Sequence, residues 1–340
     1  MPRNVEEILP GFYKLTLPVP VPKLKSVFAY LVKDGNESLL IDTGWGGDAS
    51  YHALVSAFES LDLKLAKLNQ IIISHLHPDH FGLSSRLKKE VPGAKLLIHA
   101  YDATAIKRNR EQLEKLLKEL RRWLIRNGAP KQKLISIISS SERFLGDHYP
   151  AIPNKRLHGG EKLRVGKFEF LVIHTPGHTR GTICLYEKSE KILFSGDHVL
   201  PTITPNISLS PLYSGNPLGD YLNSIRSLRK LGHVSMVLPS HEFLFRNLQQ
   251  RLLEIERHHG QRLAECVSAL RPDKNIKASG DHSVYEVASK LKWYSGSWSK
   301  LTPWEMRAAM METAAHLEYL KKNGKISRRV SSAKIFYLLN

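Results

Sequence analysis

Cysteine is nearly absent from this sequence: Cys184 and Cys266 are the only two in 340 residues. So few, so far apart, exclude the disulfide framework of a small secreted domain and fit a reducing, cytoplasmic setting. No stretch approaches the ~18 consecutive apolar residues that a membrane helix needs, so no membrane partner is expected. The opening MPRNVEEILPGFYKL has acidic residues and a proline where a secretory signal would be apolar, which argues against export. Internal repeats and low-complexity tracts are lacking too. Acidic side chains are scarce: 32 Asp and Glu against 50 Lys and Arg leave a net charge of +18. Such a field draws in anions, whether nucleic acid, acidic lipid or phosphorylated metabolites, without choosing among them. The remaining composition, 42% hydrophobic and 24% charged, is that of a globular chain able to build one large domain and a smaller one.

Apolar runs and alternation predict strands at Gly11–Leu17, Val27–Val32, Ser38–Asp42, Ile71–Ile73 and Ala94–Ile98, with an amphipathic helix over Asp48–Leu61 and another over 81–90. This is the rhythm of an α/β layered fold. It breaks at 101–155, read as a basic helical insertion with Leu113, Leu116, Leu117, Leu120 and Leu124 on one face, amid Arg110, Lys115, Lys118, Arg121, Arg122 and Arg126. Strands resume at Lys167–Ile173, Thr182–Tyr186, Ile192–Phe194 and Met236–Leu238, and helix is expected over 220–231 and 243–270. Residues 1–250 thus read as a catalytic domain and 251–340 as a separate module. In the latter, Asp281 is a candidate cap for a helix to Leu291, and Thr302-Pro303-Trp304-Glu305 is a capping box with proline at the first helical position. That helix should stop at Asn323-Gly324, before a short hairpin.

The segment that carries chemistry is Ser74-His75-Leu76-His77-Pro78-Asp79-His80, directly after an apolar strand. On an extended backbone His75 and His77 share a side, and the turn at Pro78 brings Asp79 and His80 to a neighbouring point. Four donors so close, with nothing apolar to pack them, suit a pair of cations. Three later donors also follow strands: His178 in Thr175-Pro176-Gly177-His178-Thr179, Asp197 in Ser195-Gly196-Asp197-His198, and His241 in Pro239-Ser240-His241. All lie at the C-terminal ends of strands, so all are able to converge on one edge. Elsewhere, His198 is either a neighbour of the site or a structural residue, and His258-His259 reads as a solvated pair in a charged helix.

With these blocks the sequence resembles the metallo-β-lactamase superfamily, and within it the glyoxalase II-like branch. The matching residues are His75-x-His77-x-Asp79-His80, Gly177-His178-Thr179, Ser195-Gly196-Asp197 and Pro239-x-His241, with Asp42-Thr43-Gly44 as a structural turn near the site. The resemblance implies a four-layer αββα sandwich over about residues 10–245. It further implies one metal on His75, His77 and His178, a second on Asp79, His80 and His241, and Asp197 as the bridge. Zn²⁺ is the expected ion, with Fe or Mn compatible with the same donors. The implied reaction is attack on an ester-type bond (thioester, lactone or related acyl ester) by a metal-bridging hydroxide that Asp79 orients. Asp at 197 departs from the Cys or Ser of dedicated β-lactamases, and His77 from the Glu of redox diiron relatives.

The tail is similar to the winged-helix end of the lactamase-β-like endoribonuclease group, through Trp298, Pro303-Trp304-Glu305, His316 to Leu320 and Asn323 to Ile326. Its Lys321, Lys322, Lys325, Arg328 and Arg329 are candidate phosphate contacts. An acyl hydrolase with a small-molecule substrate is therefore the leading expectation. An endoribonuclease or phosphodiesterase is the alternative, and a non-catalytic nucleic-acid-binding protein stands behind both. A homodimer is an expectation from fold relatives.

Overall fold

The computed structural model describes residues 4–21, 24–106, 110–146, 149–271, 281–294 and 296–340. Positions 107–109 and 147–148 of the expected insertion lie outside these. The chain divides into two compact units, one of residues 1–109, 147–205 and 226–251, the other of 110–146, 206–225 and 252–340.

The first unit is a sandwich of two mixed sheets. Strands β1 (Val5–Leu9), β2 (Phe12–Pro18), β3 (Ser26–Asp34), β4 (Glu37–Ile41), β5 (Gln70–Ile73), β6 (Lys95–His99) and β7 (Lys155–Leu157) lie side by side in that order. The second sheet runs β12 (Met236–Pro239), β11 (Ile192–Gly196), β10 (Ile183–Glu187), β9 (Phe168–His174), β8 (Lys162–Val165). Between the sheets lies a core that includes Phe12, Tyr30, Ile41, Ile72, Phe170 and Phe194. The Tyr30 hydroxyl crosses it to donate to the Pro239 carbonyl at 2.5 Å. Helices α1 (Asp48–Ser60), α2 (Pro78–Phe81), α3 (Ser84–Glu90) and α4 (Ala100–Ala105) fill the connections. Covered on both faces, β5 is apolar at Ile71, Ile72 and Ile73 alike.

Strand direction explains why the donors can meet. β4, β5 and β6 are mutually parallel, so their C-terminal ends share an edge. In the second sheet β9 and β11 are both antiparallel to β10, and β12 is parallel to β11, so β9, β11 and β12 also end together.

The second unit is mainly helical. It contains α5 (Arg110–Arg126), α6 (Lys131–Leu145), most of α7 (Pro217–Leu228) and α8 (Leu248–Ala269), then α9 (Val284–Lys290), α10 (Pro303–Lys322) and a hairpin of β13 (Ile326–Ser331) and β14 (Lys334–Leu339). The leucine stripe of α5 (Leu113, Leu117, Leu120, Leu124) enters one core with Leu134 and Ile137 of α6, Val284 and Val287 of α9, and Met306, Met310 and Leu317 of α10. Helix α10 and its hairpin are consistent with a winged-helix-like extension.

Three local expectations are corrected. The helix expected from 243 starts only at Leu248, because Phe245 pairs with Val237 as a bridge with hydrogen bonds of 2.8 and 3.1 Å. Ser283, not Asp281, caps α9: its hydroxyl accepts from the Glu286 N–H, and Glu286 answers with a capping box. Asp281 pairs with Arg329 instead. His259 is buried rather than solvated, 1% exposed, with Nδ1 3.1 Å from His316 Nε2. His316 Nδ1 lies 2.8 Å from the Glu312 carbonyl and must donate to it; with both rings held neutral by burial, His316 Nε2 accepts and His259 Nδ1 donates.

Burial holds His259 well below the ordinary histidine range and pushes His316 down to about 4. A histidine depressed in the fold is protonated more readily when unfolded, so stability is complete above pH 6.5 and is lost as pH falls toward 4. His316→Gln should flatten that loss by an amount on the order of 3 kcal/mol between the two limits, measured by urea unfolding across pH. An unchanged slope would show that His316 is not held neutral.

Candidate metal centre

Six strand ends supply the site. His75 follows β5 after Ser74, and its Nε2 lies 3.0 Å from His77 Nδ1. His178, on the loop after β9, places Nε2 at 3.0 Å from the same His77 nitrogen. The loop is tight because Gly177, at φ 147, takes a backbone conformation open to glycine, and its N–H donates to the Thr179 carbonyl. Proline at the first position of α2 turns the chain so that Asp79 and His80 face back toward the strand ends. His80 Nε2 lies 3.7 Å and His241 Nε2 3.4 Å from Asp79 Oδ2.

Asp197, at the end of β11, joins the two groups. Its Oδ2 lies 3.8 Å from His75 Nε2 and 3.7 Å from His178 Nε2, while its Oδ1 lies 3.5 Å from His80 Nε2 and 3.4 Å from His241 Nε2. One oxygen faces each histidine set. The donor atoms of His75, His77, His178 and Asp197 lie within 4.8 Å of one another, as do those of Asp79, His80 and His241. A tetrahedral ion with ligands about 2.1 Å away holds its donors about 3.4 Å apart, which these spacings match.

Electrostatics test the fit independently. His75 is driven well below the ordinary histidine range by burial, then by His80 and His77, and His77 falls to about 3 by burial and His178. Two neutral imidazoles, His75 and His77, therefore meet His178 Nε2 with their nitrogens turned on one point. In the other set burial alone would lower the histidines. Against it, Asp197 lifts His241 to about 10, and Asp197, Asp79 and Asp42 hold His80 well above its usual range. Burial likewise opposes ionisation of the carboxyls. His80 nevertheless holds Asp79 low, and His241 and His80 hold Asp197 well below the usual carboxylate range. Buried carboxylates at this place require positive charge. Among the described residues, His80 Nε2 and Asp197 Oδ1 also have no hydrogen-bond partner. The residues fit two divalent cations.

Surrounding groups fix these donors. Asp42 stands at φ 62, a conformation costing a non-glycine residue about 1–3 kcal/mol. It is held there by accepting from the Ser74 N–H and hydroxyl, both at 2.7 Å, and its Oδ2 lies 2.8 Å from His80 Nδ1. A carboxylate behind a histidine sets the ring's tautomer and leaves Nε2 to the site. His241 Nδ1 faces the Ser26 carbonyl at 3.3 Å with the same effect.

Asp102 is the residue that the sequence did not reveal. Buried on α4, it accepts from the Leu76 N–H (2.8 Å), the Thr179 hydroxyl (2.9 Å) and the Gly181 N–H (2.9 Å). It thereby ties the loop of His75 and His77 to that of His178. Its signal was position alone, just past a strand end like every other donor. Burial raises its carboxyl to about 6 against those three hydrogen bonds.

Of the other expected residues, Thr179 touches the site through Asp102. His198 is fully buried and pushed down to about 3 by burial and then by His178 and His174. On the hairpin side, Lys321 pairs with Glu318 at 2.8 Å, Arg328 with the same carboxylate at 3.5 Å, and Arg329 with Asp281. Lys322 and Lys325 are exposed.

Residues 23–241 match the model of the metallo-beta-lactamase superfamily. The chain is 24% identical over 321 residues to the probable metallo-hydrolase YqjP of Bacillus subtilis, covering 92% of this chain and 93% of that protein. It is 27% identical over 221 residues to the acyl-coenzyme A thioesterase MBLAC2 of Homo sapiens, covering 62% of this chain and 71% of that one. Among solved structures, a metallo-beta-lactamase family protein from Thermus thermophilus aligns with a TM-score of 0.81 at 29% identity, covering 98% of this chain and all of that one. A beta-lactamase domain protein from Burkholderia ambifaria aligns at 0.82 and 23% identity, over 99% and 95% of the two chains, a likeness of fold.

Cutting the tie between the two histidine loops should loosen the first set of donors. Asp102→Ala is expected to weaken metal binding about 10–100-fold, as loss of a supporting partner typically does, while far-UV circular dichroism stays unchanged. Chelator competition measures this, and an unaltered affinity would refute the role given to Asp102.

Proposed function

The chain belongs to the metallo-β-lactamase superfamily, and on that premise we propose that it is a binuclear metal-dependent hydrolase of acyl thioesters or related acyl esters. The observation that carries the reading is Asp197, with one carboxylate oxygen toward each histidine set. A structural zinc site closes with four ligands and needs no second ion.

His75, His77 and His178 would hold one ion, Asp79, His80 and His241 the other, with Asp197 between. Nitrogen and carboxylate donors without thiolate favour Zn²⁺, and Fe or Mn suit them as well. When bound, such a pair lowers the pKa of water to about 7 and polarises a carbonyl oxygen. The remaining work falls to the chain. Asp79, Oδ2 inward and 3.4 Å from His241, orients the attacking water, accepts its proton and returns it to the departing thiolate or alkoxide. Asp42 and the Ser26 carbonyl keep His80 and His241 in the productive tautomer. A cysteine nucleophile is disfavoured: burial pushes both Cys184 and Cys266 up to about 12, far from thiolate at neutral pH. Both are free, as suits a cytoplasmic setting.

Asp at 197 supports the glyoxalase II-like branch. The name of the human relative supports a thioester, and the +18 charge suits an anionic acyl carrier such as coenzyme A. The same charge favours a second reading, phosphodiester or RNA cleavage. Against it, Lys321, Arg328 and Arg329 already face carboxylates, which leaves fewer cations for phosphates.

A metal-loaded screen against acyl-coenzyme A, a lactone, a bis-aryl phosphodiester and single-stranded RNA separates the two. Thioester turnover is expected, abolished by chelation and reduced about a hundredfold or more in Asp79→Ala at saturating metal. RNA cleavage lost in Asp79→Ala, without acyl turnover, would reverse the ranking.

A further inference from the structure

The two sheets of the first unit leave a small cavity between them, at the edge that carries the metal donors. Its volume is about 10 Å³, and all the residues around it are buried. Apolar side chains such as Ile72 and Ile183 form most of the wall, but Tyr30, Asp42, Ser74, Gly196 and Ser240 line it as well. Ser74, Gly196 and Ser240 directly precede the donors His75, Asp197 and His241, and Asp42 Oδ2 lies 2.8 Å from His80 Nδ1. The cavity therefore lies against the chain next to four of the seven donors.

Hydrogen bonding on this wall is incomplete. Ser74 donates its hydroxyl to Asp42 Oδ2 at 2.7 Å and faces His75 Nδ1 at 3.1 Å, so it is already engaged on both sides. Asp42 Oδ2 also meets His80, whereas among the described residues Oδ1 accepts only from the Ser74 N–H. Tyr30 donates to the Pro239 carbonyl, and its oxygen keeps a lone pair able to accept. Ser240 is 1% exposed, and among the described residues its hydroxyl has no hydrogen-bond partner. Sealed hydroxyls and carboxylate oxygens seldom stay short of partners, because each gives up the bonds it makes to water when unfolded.

We propose that one water molecule occupies this cavity and bridges Ser240, after β12, to Asp42, after β4, which makes Ser240 a positioning residue for the second metal ion. A cavity of this size is about the smallest that holds a water, and its lining decides whether it does. Purely apolar cavities stay dry, whereas this one offers three polar partners, the number a buried water typically bonds. The water donates to Asp42 Oδ1 and to the Tyr30 oxygen, and accepts from the Ser240 hydroxyl. So held, the Asp42 carboxylate keeps its orientation behind His80, and the strand end that carries His241 is tied to it across the sandwich. None of this depends on which bond the metal centre hydrolyses.

High-resolution crystals of the metal-loaded chain test the proposal directly. A density peak is expected in the cavity, about 2.7–3.2 Å from Asp42 Oδ1, the Tyr30 oxygen and the Ser240 hydroxyl. Ser240→Ala should weaken the ion of Asp79, His80 and His241 about three- to tenfold and leave that of His75, His77 and His178 unchanged. Site-resolved anomalous occupancy across a chelator series reads the two ions separately. Ile183→Val trims the same wall but keeps its polar groups, so it should retain both the water and the metal affinity. Wild-type crystals without that density overturn the proposal, and this arm needs no assumption about how many ions bind. A second-ion affinity that is unchanged in Ser240→Ala, or equally weakened in Ile183→Val, overturns the role of Ser240.

Discussion

The structure of the first unit turns on one buried carboxylate. Asp197 is 8% exposed and has four imidazole nitrogens within 3.8 Å, two on each oxygen. An ionised carboxylate so enclosed persists only where positive charge offsets its lost hydration. That requirement draws His80 and His241 toward their protonated forms, while His75 and His77 of the other set stay neutral. Both behaviours follow from one arrangement, in which nitrogens and oxygens point inward at spacings suited to cations.

Such an arrangement needs a rigid frame, and the sandwich provides it. Parallel strands deliver Asp42, His75 and Asp102 to one edge of the first sheet, while β9, β11 and β12 deliver His178, Asp197 and His241 from the second. The loops between are braced by Asp102 and by the Asp42–Ser74–His80 network rather than by packing. The backbone strain at Asp42 accompanies this network, since in that conformation its carboxylate reaches Ser74 and His80 together.

Much of this was legible in the sequence. The seven donors declare themselves because they are clustered, polar and placed directly after apolar runs, a pattern with no packing explanation. The strands from Ser26 to His99, helix α1 and the capped start of α10 follow from periodicity and capping residues. The short polar strands β1 and β7 did not, because VEEIL and KRL carry no alternation long enough to read. Nor did Asp102, whose hydrogen bonds reach residues 26, 77 and 79 positions away. The leucine stripe of α5 announced that something covers it, but an amphipathic face does not say what. The same holds for His259, whose partner lies 57 residues on.

The central claim is that two cations share Asp197. Anomalous diffraction from metal-soaked crystals, recorded at the metal's absorption edge, addresses it directly. The account requires two peaks about 3.5–4 Å apart, one among His75, His77 and His178, the other among Asp79, His80 and His241, with one Asp197 oxygen on each. A single peak, or a pair with both Asp197 oxygens on one ion, would contradict it.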